Sequence, residues 1–227
     1  MSTPAPALPD LPLLIVDGAE LLAGTLAMAL RQQGLEVFTA PGSSAQDVVD
    51  LAESLAPVLV LLDLDLLPAL GDGLHLISPL ISAGGRVVVV TGVTDRARLG
   101  ASLEAGAIGL FSKACGFEQL LQTVRRAAEG APLLSDEVRK GLLEELRRRQ
   151  REKRERLAPF VALSPREQAV LAALVAGEAA GTIADRSCVS LATVRSQIRA
   201  VLRKLGVTSQ RSAASLARDA GWSPNNE

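Results

Sequence analysis

Two cysteines, Cys115 and Cys188, are too few in 227 residues for a disulfide framework or a thiolate metal cluster, and both are expected as reduced thiols. Long apolar runs are missing too. No stretch reaches the length of a membrane span, and the opening MSTPAPALPDLP has neither the basic start nor the apolar core of a signal peptide. A cytoplasmic chain with no membrane partner is expected. A dominant charge of one sign is also absent, the formal net charge being −1. That balance hides a division. Residues 1–135 hold 7 Lys and Arg against 14 Asp and Glu, whereas from Asp136 onward 17 basic residues face 11 acidic ones. An acidic half and a basic half imply separate jobs, and the length suits one domain of about 120 residues joined to a smaller one. Residues 1–10, rich in Pro and small side chains, read as a disordered tail, as does SPNNE at the other end.

Residues 11–130 alternate short apolar runs with helical stretches. The runs are Leu13–Val16, Glu36–Phe38, Val58–Leu62, Val87–Val90 and Ile108–Phe111. Five such βα units predict an α/β fold, a doubly wound five-stranded parallel sheet, whose functional edge lies at the carboxyl ends of the strands. Just past four of the runs stand Asp17, Asp63, Thr91 and Lys113. Singly, an Asp or Thr there is usually a cap or turn residue and a Lys is usually solvated. Together they form the set that phosphoryl chemistry requires: a carboxylate nucleophile, a second carboxylate for a divalent cation, and a hydroxyl and an ammonium for the phosphoryl oxygens.

In order and approximate spacing these four resemble the phospho-acceptor site of response-regulator receiver domains, and Gly73-Leu74, Thr91-Gly92, Ala105-Gly106-Ala107 and Phe111-Ser112-Lys113 match as well. The resemblance implies a flavodoxin-like sheet with Asp63 as the phosphorylated residue and Asp17 beside it in an acidic pocket near Mg2+. It also implies Thr91 and Lys113 sensing the phosphoryl group, and a histidine kinase as the donor. Receivers normally end the first strand with adjacent acids, the second a direct metal ligand, whereas this chain reads Asp17-Gly18. Mg2+ binding is therefore expected to be weakened by Gly18, and Gly18→Asp to strengthen it. Glu20 is a substitute acid for the pocket, although an acid at a helix start is equally favoured by the macrodipole. Leu110 stands where many receivers carry an aromatic switch residue.

The loop after the third run is long, Pro68 and Gly73 falling later than their usual counterparts. Alignment from Gly73 would nominate Asp65 as acceptor, but the apolar run ends at Leu62, which favours Asp63. Asp63-Leu64-Asp65 also resembles haloacid-dehalogenase-type phosphatases, with the first acid as nucleophile and the second as general acid. Those enzymes carry the motif on their first core strand and have a cap domain, neither of which is found here, so no enzyme is expected. A further alternative keeps the receiver fold only for dimerisation or ligand sensing, independent of phosphorylation.

Residues 131–158 form a charge-dense helical linker with i to i+4 Glu and Arg pairs. Its thin stripe, Val138, Leu142, Leu143 and Leu146, is suited to pairing with a second copy over a short length only.

The segment from Leu163 to Ala217, within a domain of residues 159–222, reads as several short helices. Ser164, Pro165 and Glu167 make a capping box for a helix ending at Gly177, and a second short helix covers Thr182 to Ser187. A turn at Cys188 to Ser190 then leads into a long helix, Leu191 to Leu205, closed by Gly206. Val194, Ile198, Val201, Leu202 and Leu205 form its buried stripe. The opposite face carries Arg195, Ser196, Arg199 and Arg203 with Lys204 beside them, a composition suited to DNA.

The series S164-P-R-E, I183-A, V189-S-x-x-T-V-R and L202-R-K-L-G-V-x-S-Q resembles the LuxR-type helix-turn-helix. The resemblance places Arg195, Ser196 and Arg199 at base edges in the major groove, and Thr193, Gln197, Arg203 and Lys204 on the DNA backbone. It also implies a last helix, Gln210 to Asp219, pairing two copies through Ala213, Ala214, Leu216 and Ala217. Ala179 to Thr182 depart from the family's polar pattern, so the second helix is expected to start poorly capped. Together the halves imply a transcription regulator acting as a homodimer on DNA and, through it, on RNA polymerase.

Overall fold

The computed structural model describes residues 11–40 and 42–224, so the tail at residues 1–10 lies outside the described residues, as do the last three. Five strands build one parallel sheet in the order β2-β1-β3-β4-β5. They are β1 (Leu13–Val16), β2 (Val37–Thr39), β3 (Val58–Leu62), β4 (Gly85–Thr91) and β5 (Gly109–Ser112). β1 and β3 are buried along their whole length, as continuous Leu and Val runs must be when both sheet faces are covered. Side chains alternate along each strand. Leu13 and Ile15 therefore pack with α1 (Glu20–Gln32) and α5 (Phe117–Ala128), while Leu14 and Val16 pack with α2 (Ala45–Ser54) and α3 (Ile77–Ser82). α4 (Arg96–Glu104) lies on the second face, with Leu99 against that layer.

α6 runs continuously over Asp136–Val161, but the two compact units of the chain meet inside it, at Arg147 and Arg148. Its first half is packed rather than solvated. Leu142 and Leu146 are 3% and 7% exposed. They sit against Gly100 of α4, where an added Cβ would stand 2.4 Å from the Leu142 carbonyl oxygen. Arg139 adds a hydrogen bond to the Ile108 carbonyl at 3.4 Å. Two of the four residues expected to pair copies, Leu142 and Leu146, are thus buried within the receiver unit, because a glycine on α4 lets α6 approach to backbone contact. Val138 stays 47% exposed.

In the second unit, α7 (Pro165–Val175), α8 (Ala180–Ser187), α9 (Leu191–Leu205) and α10 (Gln210–Ala220) enclose a core of their own. Phe160, near the end of α6, closes it by stacking on Trp222 with ring centres 5.5 Å apart. Ala213 and Ala217 are fully buried in this core, Ala214 is nearly so, and Leu216 packs against it. The expected pairing of copies through this face of α10 is corrected accordingly: these small side chains serve the close packing of α10 on α7 and α9.

Candidate functional site

Parallel pairing continues one step beyond the strands and sets the acidic edge. The Asp63 N–H donates to the Val16 carbonyl at 2.8 Å and the Lys113 N–H to the Thr91 carbonyl at 3.0 Å. These bonds bring Asp17, Asp63 and Lys113 together from three strand ends. Lys113 Nζ donates to Asp17 Oδ2 at 2.6 Å and to Asp63 Oδ2 at 2.7 Å. Both carboxylate side chains are nearly closed off from solvent, at 8% and 7% exposure. Burial pushes the Lys113 pKa down, but the hydrogen bonds and charges of the two acids outweigh it and hold the ammonium above its ordinary value. The other carboxylate oxygens are also engaged, Asp17 Oδ1 by the Ala19 N–H at 2.8 Å and Asp63 Oδ1 by the Asp65 N–H at 3.2 Å.

Thr91 is buried at the end of β4, its hydroxyl accepting from the Val93 N–H at 3.1 Å. Glu20 stands apart. It is exposed at the start of α1 and lines, with Asp17, Thr39, Leu67 and Leu70, a cleft of about 320 Å3 that shares Asp17 with the Lys113 cluster. Arg98 of α4 was not legible as part of this site, since a lone arginine on a distant helix carries no motif. Its guanidinium donates to Asp65 Oδ1 at 2.7 Å, to Asp72 Oδ1 at 3.0 Å and to the Leu64 carbonyl at 3.0 Å. Asp65 is thereby turned toward α4, with 62% of its side chain exposed, away from the place an acceptor or a general acid would take.

The second candidate site is α9. Ser190 caps it by accepting from the Thr193 N–H at 3.1 Å, and Gly206 ends it in the left-handed conformation at φ +67°. Val194, Ile198, Val201 and Leu205 are buried, so Arg195, Ser196, Arg199 and Arg203 are exposed on the opposite side. Arg195 and Arg199 line one groove of the helix, while Thr193 and half-buried Gln197 share another with Arg166. Lys204 departs from the expected set. Its ammonium donates to Glu167 Oε2 at 2.6 Å and to the Ala162 carbonyl at 2.9 Å. The same Glu167 oxygen accepts from the Ser164 N–H at 2.7 Å, completing the capping box that starts α7. Lys204 is therefore a brace between α9 and α7, and the Glu167 pKa is lowered first by Lys204 and then by the Ser164 N–H.

Residues 13–125 match the response regulator receiver domain, and residues 161–217 match the bacterial regulatory proteins of the luxR family. The nitrate/nitrite response regulator protein NarP of Escherichia coli is 31% identical over 210 residues, covering 89% of this chain and 92% of that one. The chain is a LuxR-type response regulator. Response regulator GacA of Pseudomonas aeruginosa is 29% identical, over 90% of this chain and 94% of its own. Among solved structures, the two-component response regulator RcsB in a DNA complex aligns with TM-score 0.49 and 21% identity, over 92% of this chain and 98% of that one. Like its family, this response regulator is a DNA-binding transcription regulator, and the family's members are not enzymes.

Receiver domains commonly bind Mg2+ at the phosphorylation site. The residues of this response regulator do not fit the ion. A Cβ at Gly18, the position of the missing ligand, would lie 2.8 Å from the Asp65 carbonyl oxygen and 3.1 Å from Leu66 Cα, so the loop after β3 occupies that space. Among the described residues no three His, Cys, Asp or Glu side chains are grouped to hold a metal. An acid at position 18 would require the Asp65–Leu66 backbone to shift.

Proposed function

We propose that the chain is a homodimeric, sequence-specific DNA-binding regulator that inserts α9 into the major groove. Arg195, Ser196 and Arg199 read base edges, while Thr193, Gln197 and Arg203 hold the backbone. The supporting observation is the division of α9: a fully buried stripe faces the domain core, and the exposed arginines at 195, 199 and 203 recur one turn apart on the other side. Lys204 is left out of the DNA contacts because Glu167 and the Ala162 carbonyl engage it. Bound at a promoter in the cytoplasm, the dimer acts on RNA polymerase.

Control through Asp63, Mg2+ and a histidine kinase is the second reading. It rests on the family and on Asp63 standing at the end of β3; the packing at Gly18 weighs against it.

Selection of duplexes from a random pool by the full chain, followed by titration of the selected site, tests the DNA reading. Arg199→Ala is expected to cost about 1–3 kcal/mol and to relax preference at one base pair. Arg203→Ala is expected to weaken all sequences alike and to lower the salt slope by about 1. Unchanged affinity and preference in both Arg195→Ala and Arg199→Ala would remove α9 as the reading element.

A further inference from the structure

We propose that the acidic end of this receiver is a self-filled ionic latch, in which Lys113 replaces the divalent cation and Arg98 fastens the acceptor loop to the helix that seats α6. Three observations carry it, each from a different part of the fold.

The first is the use of the oxygens. A divalent cation at this edge would draw its protein ligands from the carboxylates of Asp17 and Asp63. Here all four carboxylate oxygens of Asp17 and Asp63 already accept hydrogen bonds, two from Lys113 and two from backbone N–H groups. A divalent ion would have to displace the ammonium, whose single charge offsets one of the two carboxylates in this nearly closed pocket.

The second is the use of the space. The loop from Leu64 to Asp72 closes back on the end of β3. The Gly73 N–H donates to the Leu64 carbonyl at 3.0 Å, Asp65 and Asp72 pair as an antiparallel bridge, and a Cβ at Gly73 would come within 2.1 Å of the Asp63 carbonyl oxygen. That closure presses the Asp65 carbonyl against Gly18. Any side chain at position 18 therefore meets backbone, which yields only if the loop opens.

The third is the anchorage. Arg98 holds both ends of the loop at once, Leu64 and Asp65 on one side and Asp72 on the other. Two residues along the same helix, Gly100 receives Leu142 and Leu146 of α6. Closure of the loop and docking of the first half of α6 thus depend on one short helix. The latch links the pocket to α6 through side chains and needs neither metal nor phosphoryl group.

Hydrogen exchange of the full chain, with and without Mg2+ and acetyl phosphate, tests this, alongside Mn2+ binding read by water relaxation and intact mass. No Mn2+ retention, no mass gain and no change of exchange in residues 64–72 are expected for the native chain. Arg98→Gln is expected to speed exchange about fivefold in residues 64–72 and in residues 138–146, the shift that loss of roughly one ion pair produces. Arg98→Lys, which keeps the charge without the fork, should recover only part of the protection. Mn2+ retention at millimolar concentration, or a phosphoryl adduct abolished by Asp63→Asn, would overturn the metal-free pocket. Faster exchange in the loop with residues 138–146 unchanged would overturn the coupling. These readouts involve no DNA, so their failure is distinct from failure of the DNA reading.

Discussion

Replacing Gly18 by Asp, which the family pattern would read as repair of a metal site, sets a new Cβ against the Asp65 carbonyl oxygen and the Leu66 backbone. Overpacking against backbone costs about 1–3 kcal/mol, and here it also brings a carboxylate next to a carbonyl oxygen. Gly18→Asp is accordingly expected to lower the urea midpoint without raising Mg2+ affinity; a tighter Mg2+ site at unchanged stability would contradict the packing described. Glu167 is a second residue whose role depends on partners. Its carboxyl is held below the ordinary range by Lys204 and by the Ser164 N–H, so its stabilisation is complete above the unfolded-state value and is lost as pH falls through the lower folded value. Glu167→Gln should therefore melt below the native protein at pH 7, and the gap should close as pH drops below about 4. A gap independent of pH would show that the charge is irrelevant to the brace. Cys188, at φ +52° in the turn before α9, is the one non-glycine residue with positive φ among the described residues. Cys188→Gly should relieve about 1 kcal/mol of left-handed strain, read as a higher melting temperature. The polar residues at the strand ends were legible because each follows its own apolar run. The consequences of Gly18 and Lys204 were not, since both depend on what a distant segment places beside them.

Elements behaved in two ways. The five strands and α9 appear within a residue or two of where their local periodicity puts them, because a continuous apolar run or a three-and-four stripe specifies one buried face without reference to anything else. α8 begins at Ala180, and Ala179 supplies no side-chain cap, as its composition implies. α6 is the exception. A stripe of few apolar residues among many charges reads as a solvated linker, yet Leu142 and Leu146 are buried on α4. Its partner surface is a glycine, which leaves no hydrophobic signal to detect. Gly100→Ala is expected to lift this half of α6 and to destabilise the receiver unit by about 1–3 kcal/mol. Limited proteolysis between residues 138 and 146 checks it; cleavage as slow as in the native chain would mean the close approach is dispensable.

For the whole molecule, the Ala213, Ala214 and Ala217 face of α10 is taken up by its own domain, and the exposed apolar side chains on α1 offer another pairing surface. Leu21 is 86% exposed, Met28 59% and Leu22 45%, an uncommon concentration on one solvent-facing helix. Homodimerisation through α1 is the expected arrangement, and two DNA-binding units joined in this way gain avidity on paired half-sites. Leu21→Glu with Met28→Glu should give a monomer by sedimentation and weaken binding to a two-half-site duplex by about a hundredfold, with binding to a single half-site little changed. A dimer that survives the double substitution would place the contact elsewhere. Among the described residues no helix is long and apolar enough to cross a membrane.

By itself the sequence determined the division into an acidic α/β half and a basic helical half, the carboxyl edge where Asp17, Asp63, Thr91 and Lys113 gather, and the exposed row on α9. Each of these follows from local order: the period of apolar residues sets which face is buried, and the ends of buried strands set where polar residues collect. The tertiary structure alone decided that the loop after β3 fills the space at Gly18, that Arg98 ties that loop to α4, that Lys204 braces α7 and that α10 turns inward. These are meetings of segments far apart in the chain, decided by distance and packing in space, and no period along the chain encodes them.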